Sequence, residues 1–149
     1  WRSERREIPM RPQQLKLRRS YRSRPREVSA LFDTGSEDGL IRKSATTRLV
    51  RWSLPDAVTL GGIGGGAAHV HEASEFLVQV LGKWCRYRAF IVDDEAVDVD
   101  LLIGEDFMLR YGLRVNPRRN RVEVESPLQF ERMTRRRIFV ASPRGPIRG

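Results

Sequence analysis

Two short segments of the sequence carry residue types that could perform chemistry. In Leu31-Phe32-Asp33-Thr34-Gly35-Ser36, an apolar stretch delivers an acid into a tight turn. In Leu101-Leu102-Ile103-Gly104, an apolar stretch ends in glycine just before a predicted helix. A positioned carboxyl group can take up or release a proton during a reaction. A second interpretation stays open, in which Asp33 is an ordinary turn residue that hydrogen-bonds its own backbone.

A glycine-rich stretch lies between these two segments. Its members are Gly61, Gly62, Ile63, Gly64, Gly65 and Gly66. Glycine alone visits positive φ freely, so the stretch predicts a mobile or sharply turned loop. It lacks the Gly-Lys-Ser/Thr ending of a phosphate-binding loop, and no helical pattern follows it. We therefore interpret it as a loop or flap rather than a phosphate site.

The remaining pattern is that of a mostly β domain. Residues 15–32 predict a hairpin that turns near Pro25, and alternating residues predict strands over Phe76–Leu81, Trp84–Val92 and Val97–Ile103. Two helices are predicted, over Ile41–Leu49 and over Glu105–Tyr111, the second ending at Gly112. A final hairpin is predicted over residues 114–125. Many short strands with one or two short helices indicate a mostly β domain.

This order of elements resembles the retropepsin-like aspartic proteases, the single-domain relatives of pepsin. Asp33-Thr34-Gly35 matches the catalytic turn of that family, and Leu102-Ile103-Gly104 matches its hydrophobic-hydrophobic-glycine element. The separation of 69 residues between Gly35 and Gly104 suits the family. The stretch Gly61–Gly66 falls where the family carries its flap. The resemblance covers roughly residues 15–126. It implies an acid-protease barrel with half an active site per chain.

The resemblance also assigns roles to residues of the two motifs. It implies that Asp33 is catalytic, that Thr34 bonds across to the partner turn, and that Gly35 and Ser36 complete the turn. Leu102, Ile103 and Gly104 are expected to form a wall of the substrate pocket. Two carboxyls about 3 Å apart cannot both ionise, so they share a proton. The chain has one Asp-Thr-Gly triplet, so the dyad requires a homodimer. A polypeptide substrate is expected, with no cofactor and no metal.

Several other polar residues leave alternatives open. Glu37 and Asp38 follow the predicted catalytic turn, where an acid could bond the substrate backbone or pair with a neighbouring arginine. Asp106 suits the first turn of a helix, where the helix dipole favours acids. His69 and His71 have no evident third ligand and are expected at the surface.

Charge is distributed unevenly along the 149 residues. The net charge is +9, yet residues 1–27 carry +7, residues 28–126 carry −3 and residues 127–149 carry +5. We therefore predict a basic arm over 1–14, a protease domain over 15–126 and an Arg-rich arm over 127–149. Ile138-Phe139-Val140 is a candidate terminal strand in the second arm. Basic ends can make weak nonspecific contacts with nucleic acid.

The composition also limits the cellular setting. No apolar run is long enough to span a bilayer, and no signal peptide is evident at the beginning of the chain. The single cysteine, Cys85, excludes an internal disulfide and fits a reducing compartment. A cytoplasmic location without membrane contact is expected. Because the chain begins with Trp1, we expect a fragment or a processed product.

The sequence therefore predicts an aspartic endopeptidase that is active as a homodimer. Either release from a retroelement polyprotein or a stand-alone cellular protease fits the pattern. The alternative from another class is a non-catalytic module of the same fold, which would dimerise or hold peptide or RNA through its basic ends.

Overall fold

Ten β-strands account for most of the chain over residues 7–63 and 66–136, the part that this computed structural model describes. The strands are β1 (Glu7–Pro9), β2 (Gln13–Arg18), β3 (Arg26–Phe32), β4 (Gly39–Arg42), β5 (Val50–Ile63), β6 (Gly66–Val80), β7 (Lys83–Val92), β8 (Leu101–Ile103), β9 (Leu113–Asn116) and β10 (Arg121–Val124). The helices are α1 (Glu105–Tyr111) and α2 (Pro127–Thr134), with 3₁₀ turns at Lys43–Thr46 and Asp94–Ala96. The predicted mostly β class is confirmed.

Seven strands form one curved sheet in the order β2-β3-β8-β4-β7-β6-β5, and β2 also pairs with β6, which closes a barrel. The predicted hairpin of β2 and β3 is present, with Leu15 opposite Val28. β3 and β8 run parallel, and Phe32 lies opposite Ile103. The two apolar stretches singled out in the sequence therefore end side by side.

Alternation along these strands divides the apolar residues between two clusters. Phe32 and Ile103 are fully buried in the main core, where Phe107 of α1 packs edge-on against Phe32. Leu102 points to the opposite face and joins a smaller cluster with Leu40, Val70, Val92 and Val99. A strand presents successive side chains to opposite faces, so β8 serves both clusters.

A second sheet has the order β1-β10-β9. Ile8 of β1 lies opposite Val122 of β10, and both side chains are buried. Residues 7–9 of the predicted basic arm are therefore part of a sheet, because an apolar residue in their middle finds a buried partner.

Helix α2 occupies the start of the predicted C-terminal arm. Ser126 caps it by accepting a hydrogen bond from the Gln129 N–H, and Pro127 stands in the first turn. Phe130 anchors the helix by burial in the main core. The candidate strand over residues 138–140 lies outside the described residues.

Two further elements differ from the prediction. The helix predicted over Ile41–Leu49 is wrong. Gly39–Arg42 is a strand between β7 and β8, followed by a single 3₁₀ turn. The strand predicted over Val97–Ile103 is shorter and begins at Leu101. Side-chain bonds hold the preceding segment instead, since Arg42 donates to the Val97 carbonyl at 2.8 Å.

Helix α1 begins and ends where it was predicted. Gly112 ends it with a left-handed φ of 71°, and its N–H donates to the Met108 carbonyl. This conformation costs little for glycine and more for other residues. Neither helix of the described chain has the length and apolar character that crossing a bilayer requires.

Candidate active site

Asp33 directly follows β3 and is fixed by three backbone contacts. Its N–H donates to the Ile103 carbonyl at 2.9 Å, which ties the turn to the end of β8. Its own carbonyl accepts from the Ser36 N–H at 3.2 Å. Its carboxylate Oδ1 accepts from the Gly35 N–H at 2.8 Å. The hydrogen bond to its own backbone foreseen in the second interpretation is thus present. It uses Oδ1, and no hydrogen bond among the described residues involves Oδ2.

The turn after Asp33 is anchored to the beginning of α1. The Ser36 hydroxyl donates to the Asp38 carbonyl at 2.6 Å, and the Ser36 carbonyl accepts from the Glu105 N–H at 2.8 Å. The Glu37 carbonyl accepts from the Asp106 N–H at 3.0 Å. Thr34 is exposed at the tip. These bonds hold the turn rigidly while leaving its tip accessible.

Gly104 allows this close approach of turn and helix. A methyl group at its Cα would lie 2.6 Å from the Asp38 carbonyl oxygen and 2.8 Å from the Ser36 carbonyl oxygen. Both contacts are to backbone and are shorter than side-chain carbons tolerate. Only glycine fits here without movement of the turn.

Tyr87 of β7 reinforces the same junction from inside the barrel. Its hydroxyl accepts from the Gly104 N–H at 3.1 Å and donates to Asp106 Oδ1 at 2.7 Å. The same Oδ1 accepts from the Phe107 N–H at 2.8 Å, consistent with the first-turn role expected for Asp106. Burial, followed by the hydrogen bond to Asp106, raises the pKa of Tyr87 well above its usual range. No sequence pattern indicated this contact, because the two residues are 19 positions apart.

A groove of about 800 Å³ opens in front of the Asp33 turn. It is lined by Pro12, Leu31, Asp33, Gly35, Ser36, Glu37, Asp38, Leu40, Val58, Thr59, Leu60, Gly61, Ala96, Val97, Asp98, Val99 and Leu102. Of the predicted pocket wall, Leu102 lines the groove. Ile103 points into the main core and Gly104 packs on the turn, so neither residue lines this groove. The alternation of side chains along β8 is the reason.

The predicted flap lies at the tip of the β5–β6 hairpin. Gly61 and the preceding residues of β5 form one side of the groove. The backbones of Ile63 and Gly66 pair across the hairpin, so the strands reach further into the glycine-rich stretch than the prediction allowed. Gly64 and Gly65 lie outside the described residues.

Comparison with solved structures identifies the architecture. The EIAV protease complexed with the inhibitor HBY-793 matches with a TM-score of 0.51 and 16% identity, covering 72% of this chain and 92% of that chain. This chain has the retropepsin-like fold. The retroviral protease-like domain of Ddi1 from Leishmania major also matches, with a TM-score of 0.49, 17% identity, and 79% and 90% of the two chains covered. No family model and no curated protein matches the sequence.

In this retropepsin-like fold, four acids line the groove, namely Asp33, Glu37, Asp38 and Asp98. Burial raises the pKa of Asp38 above its usual value, and the nearby Asp106 and Glu37 raise it further. No ion pair within residues 7–63 and 66–136 involves Glu37, Asp38 or Asp98. Asp98 was missed in the sequence, because it stands 65 positions after Asp33 in no recognisable motif.

His69 and His71 both lie on β6 and are distant from Asp33 in the sequence. Both are exposed, and His69 Nδ1 is 3.1 Å from the Thr59 hydroxyl. The described residues hold no group of three or more His, Cys, Asp or Glu side chains arranged to bind a metal ion.

Proposed function

We propose that this chain is an aspartic endopeptidase that hydrolyses peptide bonds as a homodimer. The observation that supports this most strongly is the placement of Asp33. It stands in a rigid turn beside the end of β8 and borders a groove of about 800 Å³. Its Oδ2 has no hydrogen-bond partner among the described residues, so that oxygen is available to bind water.

One chain supplies half of the required pair of carboxyl groups. The sequence has one Asp-Thr-Gly triplet, so a second protomer must bring its own Asp33 to the same place. Two carboxyls at close range share one proton, because two adjacent negative charges repel strongly. Thr34 is exposed at the tip of the turn and would contact the partner turn across the two-fold axis.

The shared proton allows general acid and general base catalysis together. The ionised carboxylate takes a proton from water, whose oxygen forms a bond to the carbonyl carbon of the peptide. The protonated carboxyl donates a hydrogen bond to the carbonyl oxygen in the same step. One carboxyl then passes its proton to the amide nitrogen, the C–N bond breaks as the carbonyl re-forms, and a carboxylic acid and an amine leave while one proton remains on the dyad.

The substrate would lie extended in the groove. β5 borders the groove with Val58, Thr59, Leu60 and Gly61, so the peptide would run beside the β5–β6 hairpin. Main-chain hydrogen bonds to an extended peptide give affinity, and alternate side chains enter pockets that set specificity.

The test is cleavage of a denatured protein and a peptide library between about pH 4 and 7. The unmodified chain is compared with Asp33→Asn, and Asp56→Asn on β5 is the matched control because Asp56 is exposed and does not line the groove. Sedimentation of each sample reports the fraction of dimer. We expect cleavage by the unmodified chain and the control, and none by Asp33→Asn.

The proposed homodimer also predicts that activity depends on protein concentration. Activity per chain should fall as the protein is diluted below its dimer dissociation constant, in step with the sedimenting dimer. Equal activity of Asp33→Asn would contradict the proposal. A dimer that cleaves no peptide would favour the non-catalytic module instead.

A further inference from the structure

The charge of the groove is opposite to that of the chain as a whole. The chain carries 28 Lys and Arg against 19 Asp and Glu, a net +9. Among residues 7–63 and 66–136, the lining of the groove includes four acids, namely Asp33, Glu37, Asp38 and Asp98, and no Lys or Arg. Sixteen of the seventeen lining residues come from residues 28–126, which carry 12 Lys and Arg and 15 Asp and Glu, so an unbiased lining would hold nearly as many basic as acidic residues. The groove is thus an acidic recess in a basic protein.

Aliphatic side chains form much of the rest of the lining. Leu31, Leu40, Val58, Leu60 and Leu102 belong to, or pack against, the smaller apolar cluster. Apolar surface of this kind favours an aliphatic side chain of the bound peptide. The groove therefore combines an apolar lining with carboxylates from three separate parts of the chain, residues 33, 37–38 and 98.

No ion pair among the described residues involves Glu37, Asp38 or Asp98, although Arg42 donates to the carbonyl of Val97, the residue before Asp98. Arg88 lies with Asp38 and Asp106 beside a neighbouring cavity of about 350 Å³, but no ion pair joins Arg88 to either acid within the described residues. The raised pKa of Asp38 reflects burial and repulsion from Asp106 and Glu37. A cation brought into the groove would relieve that repulsion, and an anion would increase it.

We infer that the groove selects polypeptide segments in which aliphatic residues at the cleavage point are flanked by Lys or Arg. This inference rests on the proposed function and specifies its substrate class. A two-fold axis would repeat Glu37, Asp38 and Asp98 on the partner protomer. Basic residues are therefore favoured on both sides of the cleaved bond.

The test uses three peptides of equal length with the same aliphatic centre. Each centre is flanked on both sides by two Lys, two Gln or two Glu residues. The full chain is assayed for kcat/KM at low and high salt. We expect the order Lys, Gln, Glu, with Lys over Glu by about tenfold at 50 mM salt, since each partly exposed pair contributes a few-fold. The ratio of kcat/KM for the Lys peptide to that for the Glu peptide should decrease at about 0.5 M salt, because salt screens the interactions between exposed charges.

Variants locate the effect in the groove. The double variant Glu37→Gln with Asp98→Asn should lower the Lys-to-Glu ratio several-fold. Glu125→Gln is the matched control, because Glu125 is exposed and does not line the groove. Its Lys-to-Glu ratio should equal that of the unmodified chain.

Binding separates this inference from the proposed function. The same peptides, labelled with a fluorophore, are titrated into Asp33→Asn and followed by anisotropy. If the chain cleaves all three peptides equally, or prefers Glu, the inference is overturned while the proposed function stands. If it cleaves none, tighter binding of the Lys peptide still supports the charge selection, and equal binding overturns it.

Discussion

Gly104→Ala isolates the closest contact behind the Asp33 turn. Gly104 has a φ of −92°, which alanine adopts freely, so the substitution tests space rather than backbone conformation. The added methyl group would lie 2.6 Å from the Asp38 carbonyl oxygen and 2.8 Å from both the Asp38 carbonyl carbon and the Ser36 carbonyl oxygen. All three atoms are backbone, so relief requires movement of the turn itself.

The expected cost follows from that geometry. Introducing a methyl group into a filled site costs about 1–3 kcal/mol through strain and backbone shifts. For a chain of 149 residues this corresponds to a fall in Tm of about 3–10 °C. The displaced turn would also move Asp33, whose N–H is bonded to the residue just before Gly104. Peptidase activity should therefore fall further than stability alone explains.

The assay is thermal and urea unfolding followed by circular dichroism, together with peptide cleavage at a temperature where both proteins are folded. Gly61→Ala is the matched control, because a methyl group there meets no atom within 4 Å. Its Tm should stay within about 2 °C of the parent, as for other surface changes. A Gly104→Ala protein as stable as Gly61→Ala and as active as the unmodified chain would refute the close packing of turn and helix.

Three further predictions concern Tyr87, Asp38 and Cys85. Tyr87→Phe leaves the Gly104 N–H without its acceptor and should lower the free energy of unfolding by about 1–3 kcal/mol in urea titrations, so an unchanged midpoint would exclude the bond. The pKa of Asp38 is raised in the folded chain, so its contribution to stability falls as pH rises above its ordinary value of 3.8. Asp38→Asn should therefore have a larger free energy of unfolding than the unmodified chain at neutral pH, and this difference should disappear as the pH falls below about 4. A difference in the free energy of unfolding that does not change with pH would contradict the raised pKa. Cys85 is fully buried, and burial raises its pKa to about 12. A thiol reagent at pH 8 should therefore modify Cys85 only after the chain unfolds. Rapid labelling of the folded protein would disprove its burial.

Local patterns in the sequence predicted the parts of the fold that depend on neighbouring residues. The β2–β3 hairpin, the strands flanking Gly82, helix α1 and the β9–β10 hairpin all formed as expected. Each has alternating or helical spacing together with a glycine, proline or asparagine at its end. Such signals act over a few residues, so tertiary contacts seldom override them.

Elements that depend on distant partners were predicted less well. The helix expected at Ile41–Leu49 became a strand, because positions 39–42 fill the place between β7 and β8. Helix α2 went unrecognised, since Phe130 is its one fully apolar anchor in the core and its cap is a single serine. Glu7–Pro9 was predicted as part of an arm, but it forms a strand because it pairs with β10.

The sequence by itself determined the acid in its turn, the paired apolar stretches and the order of elements between them. Residue type and short-range spacing set these features, and both can be read along the chain. Only the tertiary structure decided which side chains line the groove, that Leu102 and not Ile103 faces it, and that Tyr87 holds Asp106 and Gly104. It alone gathered Asp98 with Glu37 and Asp38 into one acidic recess. These are contacts between residues far apart in sequence, and the register of strands sets them rather than any local pattern.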